Sequence, residues 1–455
     1  MLENKYRKMF LAVPKEAQKI MQAYTEFGQD IFLVGGCCRD VLLSRDPHDF
    51  DMCTNAAPDM AYKIIDWLNL SYETNAFSVV PTGIEYGTVT VLFDDGCNKE
   101  AYEITTFRED AEYSDGRRPD KITFSTKVED DLARRDFTIN AIAFNPSRGF
   151  VDPFRGIQDC EKKIIRTVGN PNDRFNEDGL RILRALRFAA QLGFHIEEKT
   201  SKAIHDCKYM LDNVSKERIH SELCKILMGD YCCSVLTEYK DVLVYIIPEI
   251  NEKLIDVSLN TVHHLQYRGE KDIVTMLAGL LCSVEDFGYS AENTYKVLRG
   301  LKFSNEVTEH VAQLIGYRFI DITNEKPYIK ELLNEIGEEQ LRRLFILHTA
   351  SIMAQYDFNP SQFQSRTLYF CLKMKTIRKC ESLLDEIIEN NECYSLKQLA
   401  VNGDDLITVG IPQGEMVGRI LKELLNAVIE DKIENDREQL LQAAINAMDN
   451  IFITS

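Results

Sequence analysis

Apolar positions in the first 30 residues recur at helical spacing, with Leu11, Ala17 and Met21 on one side, and predict helix. From residue 31 the pattern changes. Short runs rich in β-branched and aromatic residues, at 31–34, 87–93, 101–107 and 141–144, predict strands with helices between them up to about residue 150. Residues 112–120 are polar, contain Gly116 and Pro119, and read as a mobile loop. From Asp173 onward the pattern is helical almost throughout, with breaks near Gly229, Pro248, Gly269, Gly300, Pro327, Pro360 and Gly403. No repeat, low-complexity tract or long linker interrupts it. The expected fold class is α+β. A mixed head (1–150) precedes a helical neck (151–230), a helical body (231–355) and a helical tail (356–455).

Residues 173–194 carry the most regular helical pattern. Asn176 is the expected N-cap, Glu177 and Asp178 fill the first turn where anions are favoured, and Gly193 is the expected stop. Leu180, Leu183, Leu186 and Ala190 form an apolar stripe. Asp178, Arg181, Arg184 and Arg187 form a second stripe at i, i+3 spacing.

Composition narrows the class. A chain of 455 residues, 45% hydrophobic and 27% charged, has material for two to four domains with cores of their own. No apolar run reaches the roughly 18 residues a membrane span needs, and the opening residues show no apolar leader, so no membrane association is expected. Thirteen cysteines lie scattered, with no Cys-x-x-Cys and no zinc-like spacing, which suggests reduced thiols in a cytoplasm. The net charge of −19 argues against non-specific coating of nucleic acid. It leaves room for a local basic groove, expected from Arg134, Arg135, Lys162, Lys163, Arg166, Arg174, Arg181, Arg184 and Arg187.

The chemistry concentrates at residues 34–54. Gly35 and Gly36 close the apolar run at 31–34, Arg39 follows, and Asp49 and Asp51 come next, one residue apart. Without a Cβ, the two glycines let the backbone approach a triphosphate closely, and Arg39 can clamp it in a bidentate fashion. On a strand, Asp49 and Asp51 point to the same face and can share a divalent cation, or a close pair of them. Mg²⁺ usually takes one or two carboxylates together with substrate phosphates. Glu103, in the strand-like run 101–107, is the candidate third carboxylate. Turn, clamp and paired acids together describe a nucleotidyl-transfer site.

Asp178 and Arg181 form a candidate base reader. A carboxylate accepts from an exocyclic amine and a guanidinium donates to a ring nitrogen, so the pair accepts cytosine and adenine and opposes uracil and guanine. The alternative is a plain i, i+3 ion pair on the helix surface. Three arginines beside one acid leave an excess of positive charge, for which a nucleoside triphosphate is a natural partner.

On these motifs the chain resembles the tRNA nucleotidyltransferases (CCA-adding enzymes) of the bacterial and eukaryotic class, whose head belongs to the DNA polymerase β superfamily. The resemblance is collinear over nearly the whole chain. Residues 35–40 with Asp49 and Asp51 look like the family's metal and phosphate motif. Residues 134–141 look like its ribose and triphosphate motif, and 177–188 like its amino-acid template. Residues 151–156 fit its connecting segment, and 397–445 are similar to its tRNA-binding tail.

The resemblance implies a polymerase-β-like head. It makes Asp49, Asp51 and Glu103 catalytic, with Asp49 and Asp51 as Mg²⁺ ligands. It assigns Gly35, Gly36, Arg39, Arg135, Asp136, Asn140, Asp178, Arg181, Arg184 and Arg187 to the nucleotide. CTP and ATP become the expected substrates, and the acceptor arm and 3′ end of tRNA the expected partner. Cys37-Cys38 departs from the family's usual residues beside the intact glycine pair. Residues 261–264 and 280–283 look like remnants of a His-Asp phosphohydrolase domain in which Cys282-Ser283 replaces His-Asp, so no such activity is expected. Poly(A) polymerases share the head motifs, although residues 80–90 look like the CCA-adding version. Some relatives divide CC- and A-addition between two proteins. A catalytically silent RNA-binding relative and a small-molecule nucleotidyltransferase are the readings furthest from this one.

Overall fold

The computed structural model describes residues 2–110, 122–250, 254–283, 290–318, 320–358 and 363–454. The predicted loop at 112–120 and the predicted break at Pro360 lie outside them. The chain forms two compact units, Met1–Pro248 and Glu249–Ser455.

The first unit opens with α1 (Leu2–Ala12) and α2 (Lys15–Glu26), parted at Pro14, which cannot supply an interior helical N–H. The expected apolar side shifts in the structure. Ala17 and Met21 are buried, but Leu11 is 71% exposed, and Met9 and Val13 fill the core in its place. A seven-stranded sheet follows. Its strands are β1 (Ile31–Val34), β2 (Met52–Thr54), β3 (Phe77–Gly83), β4 (Thr88–Asp94) and β5 (Lys99–Thr106). A separate hairpin of β6 (Arg108–Asp110) and β7 (Ile122–Phe124) precedes the last two, β8 (Ala143–Asn145) and β9 (Gly149–Val151).

The order across the sheet is β3-β4-β5-β2-β1-β8-β9, with β2 and β5 parallel and the other pairs antiparallel. All four expected strands appear within two residues of their predicted limits. The last of them starts two residues late, after a 3₁₀ turn at Thr138–Asn140. On one face Phe32, Val34, Cys53, Phe107, Val128, Leu132, Ala141, Ala143 and Val168 make a continuous core. Helices α3 (Gly36–Leu42), α4 (Met60–Ser71), α5 (Val128–Ala133) and α6 (Gly156–Lys162) complete the head.

The neck continues with α7 (Pro171–Glu177), α8 (Leu180–Leu192), α9 (Glu198–Cys207) and α10 (Lys216–Leu227). The helix expected between an N-cap at Asn176 and a stop at Gly193 starts instead at Leu180, and Glu177 ends the preceding helix α7. Asn170, not Asn176, caps α7 and accepts from the Asn172 N–H, while Asp178 Oδ1 accepts from the Leu180 N–H at the start of α8. The break lies at Asp178, whose backbone is extended (φ −148°, ψ 106°), and the next residue is closely packed: a Cβ on Gly179 would lie 2.4 Å from the Met210 carbonyl oxygen, so only glycine fits there. Gly193, with φ +68°, ends α8 as expected.

The second unit is helical among its described residues, from a helix at Ile255–Tyr267 to one at Arg437–Thr454. Gly269 and Gly300 mark helix ends, and Pro327 and Gly403 lie in the first turn of helices. Cys393, Leu399, Val401, Leu406, Ile411, Ile420, Leu424 and Leu440 belong to a core towards its end. In the segment resembling a phosphohydrolase remnant, His264 Nε2 lies 2.8 Å from Asp357 Oδ2, and the Cys282 thiol sits against the Ser258 and Thr261 hydroxyls. No helix of the described residues is long and apolar enough to cross a membrane. No disulfide joins any of the thirteen cysteines.

Candidate active site

Gly35 turns β1 into α3. Its φ of +82° is a left-handed conformation, and a Cβ there would lie 3.1 Å from Arg135 Nη1. The backbone conformation favours glycine, and the short approach shows that Arg135 closes directly over the turn. Cys37 and Cys38 are buried with their thiols donating to the Val34 and Leu33 carbonyls, so this departure from the family pattern is core filling.

Asp49 and Asp51 lie just ahead of β2 rather than inside it, both exposed. The extended pairing nevertheless reaches them, since the Asp51 carbonyl accepts from the Val34 N–H at 2.9 Å. β2 runs parallel to β5 with Met52 opposite Ile104, so one step back along that register sets Asp51 beside Glu103. Desolvation and then the Glu103 and Asp49 carboxylates push the Asp51 carboxyl above its usual range, against the pull of Arg135. The three acids thus feel one another. Among the described residues, however, no three His, Cys, Asp or Glu side chains converge closely enough to hold a metal alone.

Behind the acids runs a continuous polar chain. Arg39 donates from Nε and Nη2 to both Asp40 oxygens (2.9 and 3.0 Å) and from Nη1 to Asn140 Oδ1 (2.7 Å). Asn140 Nδ2 donates to Asp136 Oδ1 (3.1 Å), and Arg184 Nε donates to Asp136 Oδ2 (2.7 Å). Burial alone would raise the Asp136 pKa. Arg184, Asn140 and Arg181 outweigh it and bring the carboxyl down to about 2. Arg135 is held by the fully buried Asp131, which also takes Arg134.

The predicted base reader is assembled differently from the plain ion pair. Arg218 donates to both Asp178 oxygens, at 3.3 and 2.8 Å. Arg181 instead bonds Glu177 (2.5 Å) and the Arg174 and Arg134 carbonyls. Arg187 bonds Glu222 at 3.0 Å. Arg218 and Glu222 stand four apart on α10, so one face of that helix serves both ends of the stripe.

The positive charge is partly offset: Arg181 pairs with Glu177, Arg184 with Asp136 and Arg187 with Glu222, although Glu177 is shared with Arg174 and Glu222 with Lys225. The wider basic groove is neutralised in the same way, with Arg166 on Asp159 and Glu197 and Arg174 on Glu177. Arg218 and Glu222 were not singled out from sequence, and Glu177 only as a first-turn acid rather than as a brace for Arg181. Glu177 is legible from its i, i+4 spacing to Arg181. Arg218 and Glu222, 40 and 35 residues from their partners, have no local signal.

Comparisons with known proteins agree with this layout. Residues 31–166 match the Poly A polymerase head domain family, 193–254 the probable RNA and SrmB-binding site of polymerase A, and 275–444 a putative tRNA nucleotidyltransferase domain 2. The CCA-adding enzyme of Enterococcus faecalis is 32% identical over 439 residues, covering 94% of this chain and 95% of that one. That of Pediococcus pentosaceus is 32% identical, covering 94% and 97%. Among solved structures, the Bacillus stearothermophilus CCA-adding enzyme in complex with CTP superposes with a TM-score of 0.66 at 26% identity, covering 97% of this chain and all of that one. The Thermotoga maritima enzyme complexed with tRNA-CCA shares the fold, with a TM-score of 0.62 at 18% identity, covering 97% and 98%. With a polymerase head matched in sequence, a helical remainder and near full-length identity above 30%, the chain belongs to the CCA-adding enzyme family.

Proposed function

We propose that the chain adds C, C and A in turn to the 3′ end of tRNA, using CTP and ATP and no nucleic-acid template. The polar chain Asp40–Arg39–Asn140–Asp136–Arg184 carries this reading. It ties the phosphate turn to the helix bearing the base reader, beside two acids just ahead of the central strand β2 and a third on its neighbour β5. Relatives named for CCA addition supply the substrate class.

In the reaction the terminal 3′-oxygen of tRNA bonds to the α-phosphorus of the nucleotide. The bond from that phosphorus to the bridging oxygen breaks, and diphosphate leaves. Gly36, Arg39 and Arg135 position phosphate oxygens, and Asp136 with Arg184 holds the ribose. Asp49 and Asp51, with Glu103 beside them, form an all-oxygen donor set that suits a hard divalent ion such as Mg²⁺, and their crowding is the repulsion a cation relieves. A bound pair of such ions would activate the attacking hydroxyl and stabilise the leaving diphosphate.

Base choice falls to Asp178 and Arg181. Arg218 occupies one edge of the Asp178 carboxylate and fixes its plane. A carboxylate has about four acceptor positions, so Asp178 keeps capacity for the N4 amine of cytosine or the N6 amine of adenine. Arg181, braced by Glu177, donates to N3 or N1. Thirteen thiols outside any disulfide support a reducing compartment such as the cytoplasm.

The test uses purified protein, Mg²⁺ and tRNA transcripts ending before CCA, after C or after CC, each with CTP, ATP or both. Growth by C, C and A that then stops supports the proposal. Addition of only CC or only A makes this a split-activity relative, and a long A ladder makes it a poly(A) polymerase.

A further inference from the structure

Three guanidinium groups gather about one aromatic ring. The Cζ atoms of Arg39, Arg184 and Arg187 lie 5.1, 5.5 and 4.4 Å from the centroid of Phe188. The ring is only 5% exposed and meets Phe137, the neighbour of Asp136, edge-on at 5.8 Å. Arg39 comes from α3, whereas Arg184 and Arg187 come from α8.

So close a group of cations repels itself. Burial, then Arg184 and Arg39, weaken the hold of Arg187 on its proton, with Glu222 acting against them. The carboxylates neutralise this charge one by one, but each grips its arginine separately. Arg187 Nε is buried with no hydrogen-bond partner. A buried N–H without an acceptor calls for another source of attraction, and the negative face of an aromatic ring supplies one to all three cations at once. An aliphatic side chain of similar bulk fills the space but leaves the same charges desolvated without that attraction.

We propose that Phe188 is a positioning residue for nucleotide binding: its ring holds Arg39 and Arg184 in fixed relation across α3 and α8, so that phosphate and ribose are gripped together. The proposal rests on the reading in which Arg39 and Arg184 face the nucleotide. The ring acts on the parts common to CTP and ATP, so its loss weakens both equally and leaves base choice alone.

The experiment compares Phe188→Leu, Phe188→Met and Phe188→Tyr with the unaltered protein. It reads KM and kcat for CTP on tRNA lacking CCA and for ATP on tRNA ending in CC, together with Tm. Leu and Met are expected to raise both KM values by the same factor, about tenfold, with kcat and Tm little changed, and Tyr to restore most of the loss. Unchanged KM in the folded Leu and Met variants overturns the proposal. So does a change confined to one nucleotide, or a KM loss that follows Tm and that Tyr does not rescue. Should Leu fail to fold, Met against Tyr carries the same comparison. Arg39→Ala and Arg184→Ala run in parallel. If they raise KM while the Phe188 variants do not, only the role of Phe188 falls; if they leave KM unchanged, the nucleotide-facing reading falls and this proposal with it.

Discussion

Arg218 grips both oxygens of Asp178 from a helix 40 residues further along the chain. A two-point contact fixes the plane of a carboxylate as well as its position, and a base reader needs both. Replacing Arg218 by Ala frees Asp178 to rotate. The expected result is a loss of C-over-U discrimination of about tenfold to a hundredfold, the worth of one charge-assisted contact, measured by single-nucleotide extension with CTP against UTP. Lys at 218 restores charge without the fork and should recover only part of it. Wild-type discrimination in the Ala variant would remove Arg218 from the reader.

Asp51 stands among like charges, and its carboxyl is held above the usual range. A raised carboxylate makes the folded state bind more protons than the unfolded one, so this group costs stability as pH rises through that range. Asp51→Asn should therefore abolish transfer while leaving Tm equal or higher. Asp49→Ala should likewise abolish transfer and leave the fold intact. An active Asp49 variant would refute the metal assignment.

Asp136 shows the opposite sign. Its carboxyl titrates near 2 in the folded protein, below the ordinary range near 4. The stability it contributes is fully present above about pH 4 and is lost as pH falls towards 2, by the linkage of protonation to folding. Asp136→Asn should lose about 2 kcal/mol at neutral pH and show a shallower acid-unfolding profile between those two values. Parallel acid titrations followed by circular dichroism would decide; identical slopes would count against the Asp136–Arg184 pair as an energetic contact.

Gly35→Ala combines a left-handed backbone penalty with a Cβ pressed on Arg135. The backbone term alone costs about 1–2 kcal/mol. Displacing Arg135 should add a higher KM for both nucleotides. Gly36, whose Cβ would lie 3.6 Å from the end of Arg39, is more tolerant, and Gly36→Ala should retain more activity in the same assay.

The legible parts of this molecule are those whose cause is local. The β1 run, the glycine turn and the paired acids follow from residues within about 20 positions of one another, and the strand bearing Glu103 follows from its own composition. Leu11 was misplaced because helical spacing fixes which residues share a face, not where the neighbouring layer begins. The need for glycine at 179 has no local signal because it comes from a carbonyl at Met210, on a distant segment. The arginine stripe was seen, but its neutralisation was not: Glu222 and Asp136 reach it only through packing.

The helix break at Asp178 has a consequence for how specificity could change over time. Asp178 sits on the joint between α7 and α8, so its aim depends on how two helix ends meet against Met210. If Asp178 and Arg181 read the base as proposed, substitutions in the 208–213 segment that shift this seat would retune nucleotide choice while both of those residues stay the same. In such a protein, sequence identity at the reading positions and sameness of product can come apart.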